Sequence, residues 1–451
     1  ILDYFNNFSD DRFSYSKIEI MEKTENIFFG KKILIYGLGK SGISSYKFLK
    51  NKALVYLFDD NFKTNFRLKR KLINFKEISQ IKFDKIIISP GIDISKCKLS
   101  KFLNNNLSKI YTDLDIFYSI YKNESITITG TNGKSTTAKI LFDVLLEQKK
   151  DVRLIGNIGN PVLSEKKITK KTIFVIEASS YQLEYSKIFS SKYAVILNIR
   201  ADHFERHRNL KNYINAKFKL LDSQTKNCFA YVKKDDKFIN QKISLKKYNS
   251  KIIKVNTKKN YDILRRINNN YFFSNTNKEN LSFVIEITKK LKLNNNLFLK
   301  TLQKFKGLKY RQQIIFRDNF LTIINDSKST SFSSSEGILK SHSNILWLLG
   351  GVYKKGDRLN LKRKDFNNVR AFIYGKNKNF FIKELKNKVK YTSFDKLNEA
   401  LKNVFNLIKK EKQKKNVILF SPCAASFDSF KNFEDRGFYF NKLIKQHLYG
   451  K

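Results

Sequence analysis

Seven residues, Gly130-Thr131-Asn132-Gly133-Lys134-Ser135-Thr136, carry the densest chemistry in the chain. They lie between an apolar run, 126–129, and a helical pattern from Ser135. Glycines there let the backbone wrap a phosphate, because no Cβ blocks the approach and positive φ is open to them. The following helix N-terminus offers free N–H groups to the same anion. Lys134 supplies a point charge for β- and γ-phosphates, and a hydroxyl from Ser135 or Thr136 suits Mg²⁺. The standard spacing of such loops would place a glycine at Ile128, so this loop departs from it. The strand–loop–helix setting favours nucleotide binding over a chance turn.

Three more groups follow. Glu177 ends an apolar strand in Glu177-Ala178-Ser179-Ser180-Tyr181-Gln182-Leu183-Glu184. A carboxylate there reaches a metal held by the phosphate loop, since ligands gather at the carboxyl ends of parallel strands. His203, one of four histidines, follows the next strand in Asp202-His203-Phe204-Glu205. Imidazole is a common metal ligand, although an isolated loop histidine is more often structural. Lys217 lies in a helical stretch, and its spacing alone makes it one more solvated surface lysine. Earlier, Gly37-Leu38-Gly39-Lys40-Ser41-Gly42 joins a strand to a helix, and Asp59-Asp60 end the next strand. That pattern suits NAD, another nucleotide, or a purely structural turn.

The elements that must position these groups are strands alternating with longer helices, hence an α/β fold with parallel sheets. Strands are predicted at 32–36, 53–58 and 85–89; at 126–129, 172–176 and 193–198; and at 321–324, 345–349, 369–374 and 416–420. Short strands are expected in the polar stretch 227–274, and helices at 279–291 and 438–448. Three nucleotide-binding-like domains result: 31–122, 123–307 and 308–451, after an N-terminal extension at 1–30. Segments near 121–125 and 306–310 are the expected hinges. The only methionine, Met21, just precedes the first strand, so residues 1–20 are expected to be an upstream extension or a poorly ordered arm.

At 451 residues the chain is long enough for several cores. No run of about 18 apolar residues marks a membrane span, and the start lacks a signal-peptide pattern. Cys97, Cys228 and Cys423 are far apart and odd in number, which fits a reducing, cytoplasmic setting. The formal charge of +49 invites a nucleic-acid reading. Lysines are spread along the whole chain, however, alongside many Asn, Ile, Phe and Tyr, as AT-rich coding would produce. No nucleic-acid or membrane partner is expected.

Taken in order, these motifs resemble the Mur ligases, a family of ATP-dependent amide-forming enzymes. The resemblance continues through Asn325-Asp326-Ser327-Lys328-Ser329-Thr330 and through 421–437, from Ser421-Pro422-Cys423-Ala424-Ala425-Ser426 to Arg436-Gly437. Those two stretches look like the branch that adds D-glutamate to UDP-N-acetylmuramoyl-L-alanine. The resemblance implies a Rossmann-like N-terminal domain, a P-loop-type central ATPase domain and a Rossmann-like C-terminal domain, working as a monomer. It also implies roles. Gly37, Leu38, Gly39, Lys40, Ser41, Gly42 and Asp59, with the turn Ser89-Pro90-Gly91 and Asn157, would meet the UDP substrate. Gly130 to Thr136, Asn277, Asn280, Arg311 and Asp326 would hold ATP. Ser135, Glu177, His203 and a carbamylated Lys217 would hold two Mg²⁺ ions, making Lys134, Glu177, His203 and Lys217 the catalytic set. Lys328, Thr330, Lys354, Ser426 and Phe433 would surround D-glutamate.

Four positions depart from the family pattern: Thr276 and Tyr310 stand where histidine is frequent, Ser331 where asparagine is, and Pro422-Cys423-Ala424 replaces the Pro-Ala-Cys order. Rival readings within the family add L-alanine, a diamino acid or a D-alanyl dipeptide, or extend folate. The Asp-Asn-Pro-Arg motif of diamino-acid enzymes is absent. Outside it stand a non-enzymatic nucleotide- or nucleic-acid-binding protein and an NAD-dependent oxidoreductase.

Overall fold

The computed structural model describes residues 26–60, 68, 71–258, 261–354, 356–411 and 415–450. The extension expected at 1–20 lies outside them. Three sheets organise the described chain. In the first, β1 (Lys32–Tyr36), β2 (Leu54–Phe58), β3 (Lys85–Ile88) and β4 (Ile110–Tyr111) run parallel in the order β2-β1-β3-β4. The central sheet holds β5 (Ser125–Thr129), β6 (Val152–Gly156), β7 (Ile173–Glu177), β8 (Tyr193–Ile196), β9 (Phe229–Lys233) and β10 (Lys251–Val255). All run parallel in the order β10-β9-β8-β5-β7-β6. The third sheet contains β11 (Gln313–Arg317), β12 (Leu321–Asn325), β13 (Ile345–Leu349), β14 (Val369–Tyr374), β15 (Lys390–Phe394) and β16 (Asn416–Phe420). Its order is β11-β12-β16-β13-β14-β15, and only β11 is antiparallel.

Interior strands such as β1 (KILIY) and β13 (ILWLL) are apolar almost throughout because helices cover both faces of a parallel sheet. In each sheet the order reverses beside an inner strand: β1, β5 and β16. Loops leaving the carboxyl ends of strands at such reversals form crevices. Two predicted helices begin earlier than expected, at Asn275 and Phe433. No helix among the described residues is long and apolar enough to cross a membrane.

The first and central domains share one apolar core. Phe117 packs edge-on against Phe174 with centroids 4.8 Å apart, and Tyr118 meets Phe189. Within this seam Asp115 is fully buried. Its Oδ1 accepts hydrogen bonds from Ser186 Oγ (3.0 Å) and from the backbone N–H groups of Lys187 (2.8 Å), Ile188 (2.8 Å) and Phe189 (3.1 Å). Its Oδ2 accepts from Thr112. A buried carboxylate tolerates loss of water only when fully bonded in this way.

Candidate active site

A cleft of about 1100 Å³ collects loops from the carboxyl ends of all three sheets. The phosphate loop forms its floor. Gly130 and Gly133 take φ of 151° and 87°. A Cβ on Gly133 would sit 2.0 Å from Asn280 Oδ1, so only glycine admits that neighbour. Asn198 braces the loop by accepting from the N–H of Asn132 (2.9 Å) and donating back to its carbonyl (3.1 Å). Helix Lys134–Glu147 points its N-terminus into the cleft.

Lys134 Nζ donates to the carbonyls of Gly130 and Thr131, at 2.9 Å each, and so lies curled on its own loop. Burial lowers its pKa. Ser135 Oγ donates to Glu177 Oε2 at 2.5 Å, and Asn157 Nδ2 donates to Glu177 Oε1 at 2.7 Å. One carboxylate thus joins the phosphate loop to the asparagine expected to meet the muramoyl substrate. A hydroxyl and a carboxylate side by side are the hard oxygen donors Mg²⁺ prefers. No three His, Cys, Asp or Glu side chains converge as a metal cage among the described residues.

Lys217 reverses the sequence expectation for an isolated lysine: it is 1% exposed. Its Nζ donates to the Gly130 carbonyl at 2.8 Å and lies 4.6 Å from the centre of the Tyr213 ring. Burial, and then the nearby Lys134 charge, push its pKa well below the ordinary lysine value. His203 has φ of 58° and lines the cleft. Its Nδ1 lies 2.8 Å from Tyr181 Oη and 3.2 Å from Glu205 Oε1, while Asp202 Oδ2 is 3.4 Å from Nε2. Tyr181, Asp202, Asn198 and Tyr213 join the predicted residues here. Adjacency to His203 was the one available signal for Asp202; the others are assembled only by folding.

In the first domain, Gly37, Gly39, Lys40, Ser41, Asp59, Ser89, Pro90 and Gly91 face the cleft. Ser89 Oγ donates to the Gly37 carbonyl at 2.6 Å, locking the two turns together. Leu38 and Gly42 serve the turn itself. Leu38 N–H donates to Asp59 Oδ2 (2.5 Å), and a Cβ on Gly42 would fall 1.9 Å from the Gly37 carbonyl oxygen.

Asn277, Asn280, Arg311 and Asp326 line the side nearest the third domain. Asn277 donates to the Tyr271 carbonyl at 2.8 Å, and Asn280 Nδ2 is buried without a protein partner. Burial raises Asp326 to about 7 although Gln312 N–H and Ser421 Oγ donate to it. Lys328 and Thr330 also face the cleft. Lys328 Nζ sits 4.1 Å above the Phe433 ring, and burial followed by Arg311 lowers its pKa to about 8. Phe433 thus supports Lys328 from beneath, with Arg311 on the same ring. Lys354 is drawn to Asp202, and Ser426 is buried, its carbonyl accepting from Ser429 and Phe430. Of the four departures, Tyr310 packs on Gly437 and Thr276 on Gly337, where a Cβ would lie 2.4 and 2.2 Å from them.

Residues 128–298 match the family model described as the Mur ligase middle domain. The chain is 34% identical to a UDP-N-acetylmuramoylalanine--D-glutamate ligase of Rickettsia felis, covering 92% of this chain and 97% of that one. A ligase of the same name from Buchnera aphidicola is 35% identical, covering 93% and 99%. Among solved structures, the chain is similar to the MurF ligase of Thermotoga maritima in complex with ADP (TM-score 0.55, 12% identity, 94% and 96% covered). It is also similar to the UDP-N-acetylmuramate-alanine ligase MurC of the same organism (TM-score 0.52, 18% identity, 93% and 100% covered). The chain belongs to the Mur ligase family and has its three-domain α/β fold. Both near-full-length relatives named here are D-glutamate-adding ligases.

Proposed function

We propose that this enzyme joins D-glutamate to UDP-N-acetylmuramoyl-L-alanine with ATP and Mg²⁺, in peptidoglycan synthesis. One observation carries the reading: the Gly37 and Ser89 turns, the Gly130–Thr136 loop and the Asp326–Thr330 segment open onto one cleft. A UDP-linked carboxylate, a nucleotide and an amino acid can meet there.

A carboxylate resists attack by an amine because its oxygen is a poor leaving group. Transfer of the ATP γ-phosphoryl group to the alanyl carboxylate gives an acyl phosphate. The D-glutamate amine then adds to the carbonyl carbon, and the tetrahedral intermediate expels phosphate. Both steps crowd negative charges, so the protein's work is placement and charge compensation. Lys134 leaves its loop carbonyls to meet the phosphates. Asn280 and Asn277 face the adenine end, with Arg311 and Asp326 beside them. Asn157 orients the muramoyl end against Glu177. Lys328, Thr330, Lys354, Ser426 and Phe433 form the D-glutamate side.

Ser135 and Glu177 would hold one Mg²⁺; His203 and Lys217, the second. When bound, the ions supply positive charge between the phosphates and the acceptor carboxylate. Lys217 suits carbamylation: a neutral amine attacks CO₂, forms an N–C bond and releases a proton. The product replaces a buried amine with an anionic oxygen donor. The nucleotide-linked substrates and three free thiols favour a cytoplasmic setting, where the chain would work as a monomer.

Phosphate release with UDP-N-acetylmuramoyl-L-alanine and ATP tests this reading. Stimulation by D-glutamate but not by L-glutamate, L-alanine or a diamino acid is expected. Stimulation by another amino acid alone would overturn it.

A further inference from the structure

We propose that Ser335 is a positioning residue for capture of the amino acid: it fixes Ser329 and thereby aims Lys328 and Thr330 into the cleft. The inference rests on the ligase reading above and extends it to a residue that does not line the cleft.

Burial alternates along this segment. Ser327, Ser329 and Ser331 are buried, whereas Lys328 and Thr330 between them are only partly buried, and Lys328, Ser329, Thr330 and Ser331 all border the cleft. What holds Ser329 in place therefore sets the direction of its two neighbours. Ser329 Oγ lies 2.7 Å from Ser335 Oγ and 2.8 Å from Ser334 Oγ. Ser335 projects from the first turn of helix Phe332–Ser341 and is 0% exposed. Its hydroxyl also lies 2.6 Å from Ser421 Oγ and 2.9 Å from Cys423 Sγ. A hydroxyl has one proton and two acceptor positions, so these three contacts saturate it. Ser421 Oγ in turn donates to Asp326 Oδ2 at 3.2 Å. A chain of buried hydroxyls thus runs from Asp326 through Ser421 and Ser335 to Ser329. It ties the carboxylate facing the nucleotide to the segment facing D-glutamate. Cys423, at the position that departs from the family order, supplies the third contact to Ser335.

Removing the Ser335 hydroxyl takes one partner each from Ser329 and Ser421, leaving Ser329 with Ser334 and Ser421 with Asp326, and a buried hydroxyl short of a partner relaxes by moving its backbone. The segment bearing Lys328 and Thr330 is what moves.

The test uses the full chain in D-glutamate-dependent phosphate release, with Ser335→Ala, Ser329→Ala and the double variant. Expected for each single variant is a roughly tenfold higher KM for D-glutamate, about 1.4 kcal/mol, with the ATP KM within about twofold and Ser335→Thr restoring part of the loss. The double variant should match the singles, because both remove one connection. An unchanged D-glutamate KM in Ser335→Ala, equal rises for ATP and D-glutamate, or multiplicative effects in the double variant would each overturn the proposal. Should Ser335→Ala not fold, an unaltered D-glutamate KM in Ser329→Ala overturns it alone. A wild-type chain without D-glutamate-dependent release would instead defeat the ligase reading, and this proposal with it.

Discussion

Lys354 of the third domain is paired with Asp202 of the central domain, Nζ to Oδ1 at 2.8 Å, with their side chains only 19% and 10% exposed. The pair bridges two domains next to His203. It is joined by bonds from Asn132 to the Ser333 carbonyl and from Ser274 to Gln312. Partly buried pairs escape most salt screening. Lys354→Met is therefore expected to loosen the docked arrangement. Solution scattering should record a larger radius of gyration without ligands, and the KM for D-glutamate should rise about tenfold. Identical scattering profiles would remove Lys354 from any latch role.

Lys134→Ala should lower kcat by a factor on the order of 10³ while preserving the unfolding midpoint. The side chain contacts only its own loop carbonyls, so its loss leaves the fold supported. Near-normal turnover would show that Lys134 does not meet the phosphates.

Lys217→Ala should be inactive and partly rescued by short carboxylates that occupy the vacated space beside Gly130. Mass spectrometry under bicarbonate should detect the added CO₂ on the wild-type lysine. A fully active alanine variant would reduce Lys217 to a packing residue.

Lys328 titrates near 8, below the ordinary lysine range, because burial disfavours its charge. It is cationic below that pH and neutral above it. The affinity for the D-glutamate carboxylates should accordingly fall as pH rises through about 8. Lys328→Arg, which stays charged, should shift this alkaline limb upward. A KM for D-glutamate independent of pH between 7 and 9 would exclude the role.

Asp113 is buried beside Ser41, and burial raises its pKa to about 6. The folded state holds this proton more tightly than the unfolded state does, so stability is lost as pH climbs from about 4 to 6. Asp113→Asn should gain roughly 3 kcal/mol at pH 7.5 and about a third of that at pH 4.5. Denaturation midpoints at the two pH values check both size and direction.

The interior strands and the phosphate loop were legible because burial on two faces and phosphate contact each leave a local residue pattern. Strands β4, β6, β11 and β15 were not predicted, and all four lie at sheet edges. An edge needs no continuous apolar run; β15 reads KYTSF and is largely exposed. Glu177 was legible from its place at a strand end. The burial of Lys217 was not, because helical spacing says nothing about what packs over a side chain. Asp115 and Ser335 were invisible for the same reason: most of their partners, at 186–189 and at 421–423, lie far away in sequence.

The carboxylate of Asp115, gripping four donors of the 186–189 segment, rivets two of the three lobes into a single jaw. If these two lobes hold the sugar nucleotide and ATP as proposed, the cradles are kept in register and any swing is left to the third lobe, which would deliver the amine. Activation of the acid would then go forward on a stationary anvil, and only the final bond would wait for the hammer.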